Sequence, residues 1–135
     1  MDRYTVDAAA LIRRALGVLP DPAADLFKQA RAGRTALEAP VIAATEAIFF
    51  IDRRDEAHGT TLPLDAAGAL AGFNTYPVTF IDDTEADMRE LVTHTDLFPS
   101  QMHDAMIASN HVNRGTDAII TSDGKIAERF PTVWD

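Results

Sequence analysis

The sequence predicts a single α/β domain in which a mostly parallel sheet is sandwiched between helices. Three observations carry this reading. Short β-branched or apolar runs alternate with helical patterns along the chain, no tight hairpin signal joins two of those runs, and 135 residues at 47% apolar composition suffice for one packed core but not for two domains of ordinary size. Strands separated by helices are joined by right-handed crossovers, which leaves neighbouring strands parallel. One domain is therefore read over residues 1–135.

Arg3 to Val6 reads as a strand ending at Asp7, and Ala8 to Val18 is rich in helix formers until Leu19-Pro20 stops it. Asp21-Pro22 opens a second helix, with Asp21 as N-cap and Pro22 in the first turn, that closes at Gly33. Thr35 to Leu37 is a short strand. A third helix starts at Pro40 and continues to about Arg54, and its stretch from Ala39 to Ile51 carries a single charge, Glu46, so it is expected to be largely buried. The polar segment from Asp55 to Thr61 reads as a loop, and a short helix follows from about Pro63 to Phe73. Tyr76 to Ile81 is the next strand. Asp82-Asp83-Thr84 supplies N-cap chemistry for a helix from Glu85 to His94, and Pro99-Ser100 opens another that runs to Gly115. Asp117 to Thr121 is a β-branched strand, Ser122-Asp123-Gly124 a turn, Lys125 to Arg129 a short helix and Thr132 to Trp134 a final strand.

Composition removes several chemistries. The absence of cysteine excludes disulfide frameworks, thiolate zinc sites, Cys nucleophiles and CxxC redox motifs. Neither GxxxxGK nor GxGxxG occurs, so there is no glycine-rich phosphate loop. The start lacks a basic segment followed by an apolar one, and the nearly apolar run from Ala39 to Ile51 falls short of the roughly 20 residues that span a bilayer. A cytoplasmic location with no membrane partner is expected. The 21 acidic and 12 basic residues give a formal charge of −9, which opposes a broad, sequence-independent grip on nucleic acid. Ten of the 12 basic residues are Arg, suited to planar recognition of phosphate. A high-salt cytoplasm and an ordinary acidic protein both fit this balance.

Four carboxylates carry the functional reading. In a parallel α/β sheet ligands lie beyond the carboxyl ends of the strands, and Asp7 and Asp123 each stand just past a strand. Asp104 opens a late helix and Glu46 lies inside the apolar one. Oxygen ligands from distant segments are what a hard divalent cation needs, and such a cation suits phosphodiester cleavage. Each acid also has a plainer explanation: Asp7 as a helix cap, Asp123 as a turn residue, Asp104 as a favourable charge in a helix's first turn, Glu46 as the partner of Arg13 or Arg53. Glu46 is the hardest to explain plainly, because an unpaired charge in an apolar run is expensive to bury. Other chemistries are weaker. Ser100, His103 and Asp104 are too close on one helix for a triad, His103 and His111 read as surface histidines, and Asp82-Asp83 doubles as a helix cap where a phosphorylated receiver would place its acids.

The order of these segments resembles the PIN domain, specifically the VapC-like toxins. The resemblance rests on Arg3-Tyr4-Thr5-Val6-Asp7, the Ala39-Pro40 helix bearing Glu46, the run His103-Asp104-Ala105-Met106-Ile107-Ala108, and Ala118-Ile119-Ile120-Thr121-Ser122-Asp123. It covers nearly the whole chain. The resemblance implies a three-layer α/β/α sandwich, an acidic quartet of Asp7, Glu46, Asp104 and Asp123 binding Mg²⁺ or Mn²⁺, and Thr121 as the hydroxyl that helps order it. It further implies endoribonuclease cleavage of RNA by a homodimer, silenced by a cognate antitoxin protein whose extended segment covers the acids. The chain departs from the pattern at Ala8 and Ala9, where hydroxyl or polar residues are usual, and at Ile126, where an aromatic is common. Arg13, Arg14 and Arg114 are candidates for holding flanking phosphates of single-stranded RNA. A non-catalytic module of the same fold, its acidic cleft holding an Arg-rich peptide, is the alternative from another class.

Overall fold

The computed structural model describes residues 1–53, 56–57, 60–61, 64–96 and 101–135. Strand β1 (Asp2–Val6) is followed by α1 (Ala8–Leu16), α2 (Asp21–Arg31), β2 (Thr35–Pro40) and α3 (Val41–Asp52). Next come the two-residue strands β3 (Glu56–Ala57) and β4 (Thr60–Thr61), then α4 (Ala66–Phe73), β5 (Thr79–Ile81) and α5 (Glu85–Leu91). The chain closes with α6 (Met102–Arg114), β6 (Ala118–Ile120), α7 (Gly124–Ala127) and β7 (Thr132–Val133).

Five strands form one sheet in the order β5-β2-β1-β6-β7, with every neighbouring pair parallel. The register places Val6 opposite Ile120, so the residues that follow β1 and β6 emerge side by side. Alternation along the strands sends successive residues to opposite faces. Ile120, Val6 and Leu37 thus pack with α1, α2, α3 and α4, while Ile119 packs with Ala105, Ile107 and Ala108 of α6 and with Ile126 of α7. Two apolar layers on either side of one sheet make the expected α/β/α sandwich.

Departures from the sequence reading have physical causes. The expected loop at 55–61 contains an antiparallel ladder, Glu56 opposite Thr61 and Ala57 opposite Thr60. Strands of two residues carry no alternation that a pattern could reveal. Pro20, not Asp21, is the N-cap of α2, and Asp21 serves as an acid in the first turn. The β2 strand extends to Pro40, and Val41 rather than Pro40 begins α3. Helix α3 buries Ala43, Ala44, Ala47 and Ile51 but leaves Phe49 52% exposed, its ring covered by the Arg53 guanidinium at 4.8 Å. The expected limits at Arg54, Pro63 and Pro99-Ser100 lie outside the described residues.

Helix α6 is fastened at several points. His111, expected at the surface, is buried: its Nδ1 and the Thr116 hydroxyl lie 2.7 Å apart, and Thr116 in turn bonds the Thr5 hydroxyl in β1 at 2.7 Å. The cap of α5 is a box between Thr84 and Asp87, and the buried Asp87 carboxylate also accepts from Asn110 and Asn113 of α6. Asp82 and Asp83 take no part in that box. These bonds set the axial position of α6, and with it the position of its first turn.

Candidate metal centre at the carboxyl ends of the strands

Asp7 is reached from β1 at the point where Asp7 N–H donates to the Ile120 carbonyl, 3.1 Å away, which brings the end of β1 against the end of β6. Its side chain is both helix cap and cleft residue. Oδ1 accepts from Ala8 N–H at 2.7 Å and Oδ2 accepts from the Thr121 hydroxyl at 2.6 Å. The Thr121 oxygen also accepts from Asp123 N–H at 3.1 Å, so one hydroxyl ties Asp7 to the backbone of the following turn. Asp123 caps α7 through Oδ1, which accepts from Lys125 and Ile126 N–H at 2.7 and 3.0 Å. The capping explanations of Asp7 and Asp123 therefore hold without moving either acid out of the site.

Asp7, Glu46, Asp104 and Asp123 line one cleft of about 300 Å³, together with Ala8, Ala9, Arg13 and Ser122. A second depression of about 520 Å³ continues from it past Glu46, Asp104 and Asp123 to Gln101, Met102 and His103. The chain segments that supply the acids are the ends of β1 and β6, the second turn of α3 and the first turn of α6. The strand register and the α3–α6 packing bring them together.

The electrostatics follow from crowding like charges. Burial pushes the Asp7 carboxyl up to about 6, against the lowering effect of its bonds from Thr121 and Ala8, with Glu46 and Asp123 adding repulsion. Asp104 is pushed up to about 7 by burial, by the charges of Asp123 and Asp7, by a hydrogen bond with Asp123 and by Glu46. Among the described residues no Arg or Lys forms an ion pair with any of the four. Glu46 is not paired with Arg13 or Arg53, whose guanidinium groups lie over Trp134 at 5.5 Å and over Phe49. Its side chain is 40% exposed, and its neighbour is His103, with Nδ1 3.7 Å from Oε2.

This donor set suits a hard divalent cation: carboxylate oxygens, mutually repelling, with no Arg or Lys ion-paired to any of them among the described residues. As the side chains lie, among the described residues no three carboxylate or imidazole groups are close enough to chelate one ion. Asp7 and Asp123 are held by their hydrogen bonds, while Glu46 has none among the described residues.

The structure also sorts the remaining candidates. Arg13 lines the cleft. Arg14 does not; its guanidinium lies over Tyr76 at 5.2 Å and it borders a separate groove with Lys28 and Arg31. Arg114 is far from the cleft at the other end of α6, donating to both oxygens of Glu38 at 2.9 and 2.8 Å. Ala8 and Ala9 present methyl groups where a hydroxyl was missed, whereas Ser122 places one at the same cleft. Ser122 was read only as a turn residue and His103 only as a surface histidine; His103 is exposed as expected, yet both border the acids. Their signal was adjacency: each immediately precedes one of the acids.

The parallel α/β sandwich has a PIN-domain, VapC-like fold, as the comparison with solved structures shows. The chain is similar to VapBC2 from Rickettsia felis bound to a DNA fragment from the promoter, with a TM-score of 0.71, 15% identity and coverage of 98% of this chain and 99% of that one. It is similar to VapC20 of Mycobacterium tuberculosis, a sarcin-ricin loop cleaving toxin, with a TM-score of 0.65, 18% identity and coverage of 98% and 99%. DNA-bound VapBC from Salmonella typhimurium gives 0.67 at 19% identity, covering 97% and 94%. No family model and no curated protein matches the sequence. No helix among the described residues is long and apolar enough to cross a membrane.

Proposed function

We propose that the chain is a divalent-metal-dependent endoribonuclease, the toxin of a type II toxin–antitoxin pair, acting at Asp7, Glu46, Asp104 and Asp123. The observation that carries the proposal is four acids from four segments lining one cleft, two of them pushed toward neutrality by one another and by burial, with no Arg or Lys paired to any of them among the described residues. Structural acids are not left in that condition, because an uncompensated buried charge costs stability. The VapC-like neighbours, one of them an RNA-cleaving toxin, support the direction of the reading.

When bound, Mg²⁺ or Mn²⁺ would polarise the scissile phosphate, lower the pKa of the attacking water and neutralise the leaving oxygen. The chain's own residues do the holding. Asp7 is fixed by two donors and Asp123 by two more, so both present carboxylates of set orientation. Thr121 transmits the position of one to the other. Arg13, held over Trp134 at the cleft margin, supplies a guanidinium for a phosphate next to the one being cut. No side-chain nucleophile is needed. The cleft lies open at the sheet edge, which suits single-stranded or looped RNA. A cognate antitoxin and a homodimeric state complete the proposal.

The test is cleavage of structured and unstructured RNA with Mg²⁺ or Mn²⁺, by the parent and by Asp7→Asn and Asp104→Asn. Loss of cleavage in both variants is expected. Undiminished cleavage by either would remove that residue from the site.

A further inference from the structure

We propose that His103 is a fifth, nitrogen-donating ligand of the same metal centre, and that it biases the centre toward Mn²⁺ or another imidazole-binding transition ion over Mg²⁺. The inference rests on the four-carboxylate reading and deepens it. His103 directly precedes Asp104 in the first turn of α6 and lines the depression shared by Glu46, Asp104 and Asp123. It contributes the imidazole in a wall otherwise built from carboxylates, an amide and a thioether.

Its spacing from Glu46 is informative. The separation of 3.7 Å between His103 Nδ1 and Glu46 Oε2 is too long for a hydrogen bond, which ends near about 3.2 Å for nitrogen and oxygen. It lies between the two donor spacings on one octahedral ion, so a rotation of either side chain would be needed to bring both onto a common cation. Ligands at roughly 2.1 Å on an octahedral cation lie about 3 Å apart when adjacent and about 4 Å apart when opposite. Neither group is locked elsewhere: His103 is 48% and Glu46 40% exposed, with no hydrogen bond from either side chain to another group among the described residues. Both are free to turn toward a common ion.

The chemical consequence follows from ligand preference. Mg²⁺ favours oxygen donors and keeps its waters, whereas imidazole is a ligand for Mn²⁺ and more strongly for the later divalent metals. One nitrogen among four carboxylates leaves the site able to take Mg²⁺ while shifting its selectivity. The gain does not depend on a change in the charge of the ring.

The experiment uses the full chain loaded with Mn²⁺ and examined by pulsed electron paramagnetic resonance for coupling of the ion to ¹⁴N. The parent is expected to show nitrogen coupling that His103→Gln lacks. Competition of Mg²⁺ for bound Mn²⁺ is expected to show the variant's preference for Mn²⁺ lowered by at least about tenfold. Thermal unfolding of the metal-free variant should stay close to the parent, since the ring is half exposed. Mn²⁺ bound without nitrogen coupling, or coupling that persists in His103→Gln, overturns this inference and leaves the carboxylate centre standing. No bound Mn²⁺ in the parent overturns both, and the missing ion signal distinguishes that case.

Discussion

Two buried carboxylates, one in the central sheet and one just past the end of its first strand, receive opposite treatment. Glu38 of β2 is 7% exposed and is gripped by Arg114 in two hydrogen bonds and by Arg3 at 3.5 Å, which holds its carboxyl below the usual range. Asp7, 6% exposed, is pushed up to about 6 by burial, with Glu46 and Asp123 adding repulsion. The chain thus has the means to neutralise a buried acid and uses them where the acid is structural. At the carboxyl edge it withholds them. The third buried acid, Asp87, is held by Asn110, Asn113 and the Thr84 backbone, so the crowding of like charges sets Asp7 apart from both.

The largest effect that separates the two regions is catalytic. Asp104→Asn is expected to lower RNA cleavage at least about 100-fold, since loss of even a supporting group at a metal site costs 10- to 100-fold. The metal-free variant should be no less stable than the parent at pH 8, because the substitution removes repulsion. A clear loss of stability would place Asp104 among the structural acids.

At the other end the signs reverse. Arg114→Ala leaves Glu38 with only Arg3, and should destabilise by about 2 kcal/mol, between the values for exposed and fully buried pairs, with Arg114 itself part exposed. Cleavage per folded molecule should be unchanged. Denaturant unfolding and steady-state cleavage measure the two quantities separately.

Stability against pH distinguishes the regions next. Asp7 and Asp104 have folded values of about 6 and about 7, above the 3.8 of an unperturbed Asp. The folded state therefore binds their protons more tightly, and metal-free stability should fall as pH rises through that interval. Glu38 is lowered from 4.5, so its contribution is present above that value and is lost as pH falls through its folded one. On these groups the metal-free protein is expected to be most stable at about pH 4, where the gain from Glu38 is largely in place and the loss from Asp7 and Asp104 has barely begun. Thermal unfolding from pH 3 to 8 shows the maximum, and a saturating divalent ion should remove the decline on the alkaline side. The smallest effect is at the margin: Arg13→Ala should raise KM a few-fold with little change in kcat, as expected for a residue that binds a flanking phosphate.

The sandwich and the strand-to-acid geometry were legible because they depend on period and punctuation. Val6-Asp7 and Ile120-Thr121 announce where strands end, and parallel pairing then puts both ends at one edge. The β3–β4 ladder was illegible because two residues have no period. The burial of His111 was hidden because its reason is a hydroxyl five residues on, Thr116, that itself is bonded to β1. Arg114 was misplaced for a related reason: its partner, Glu38, lies 76 residues away. The convergence of the four acids on one cleft was legible from their positions, but the refusal of Arg13 and Arg53 to pair with Glu46 could be read only in three dimensions, where both lie over aromatic rings.

The central claim, that the carboxyl edge holds its acids unpaired for a cation, is tested most directly by thermal unfolding of the parent and Asp104→Asn in rising Mn²⁺ at pH 8. The parent is expected to gain stability with each increment of ion, reaching about 2.7 kcal/mol at a hundredfold excess over Kd, while the variant gains far less. Equal gains in the two proteins, or none in the parent, would contradict the account.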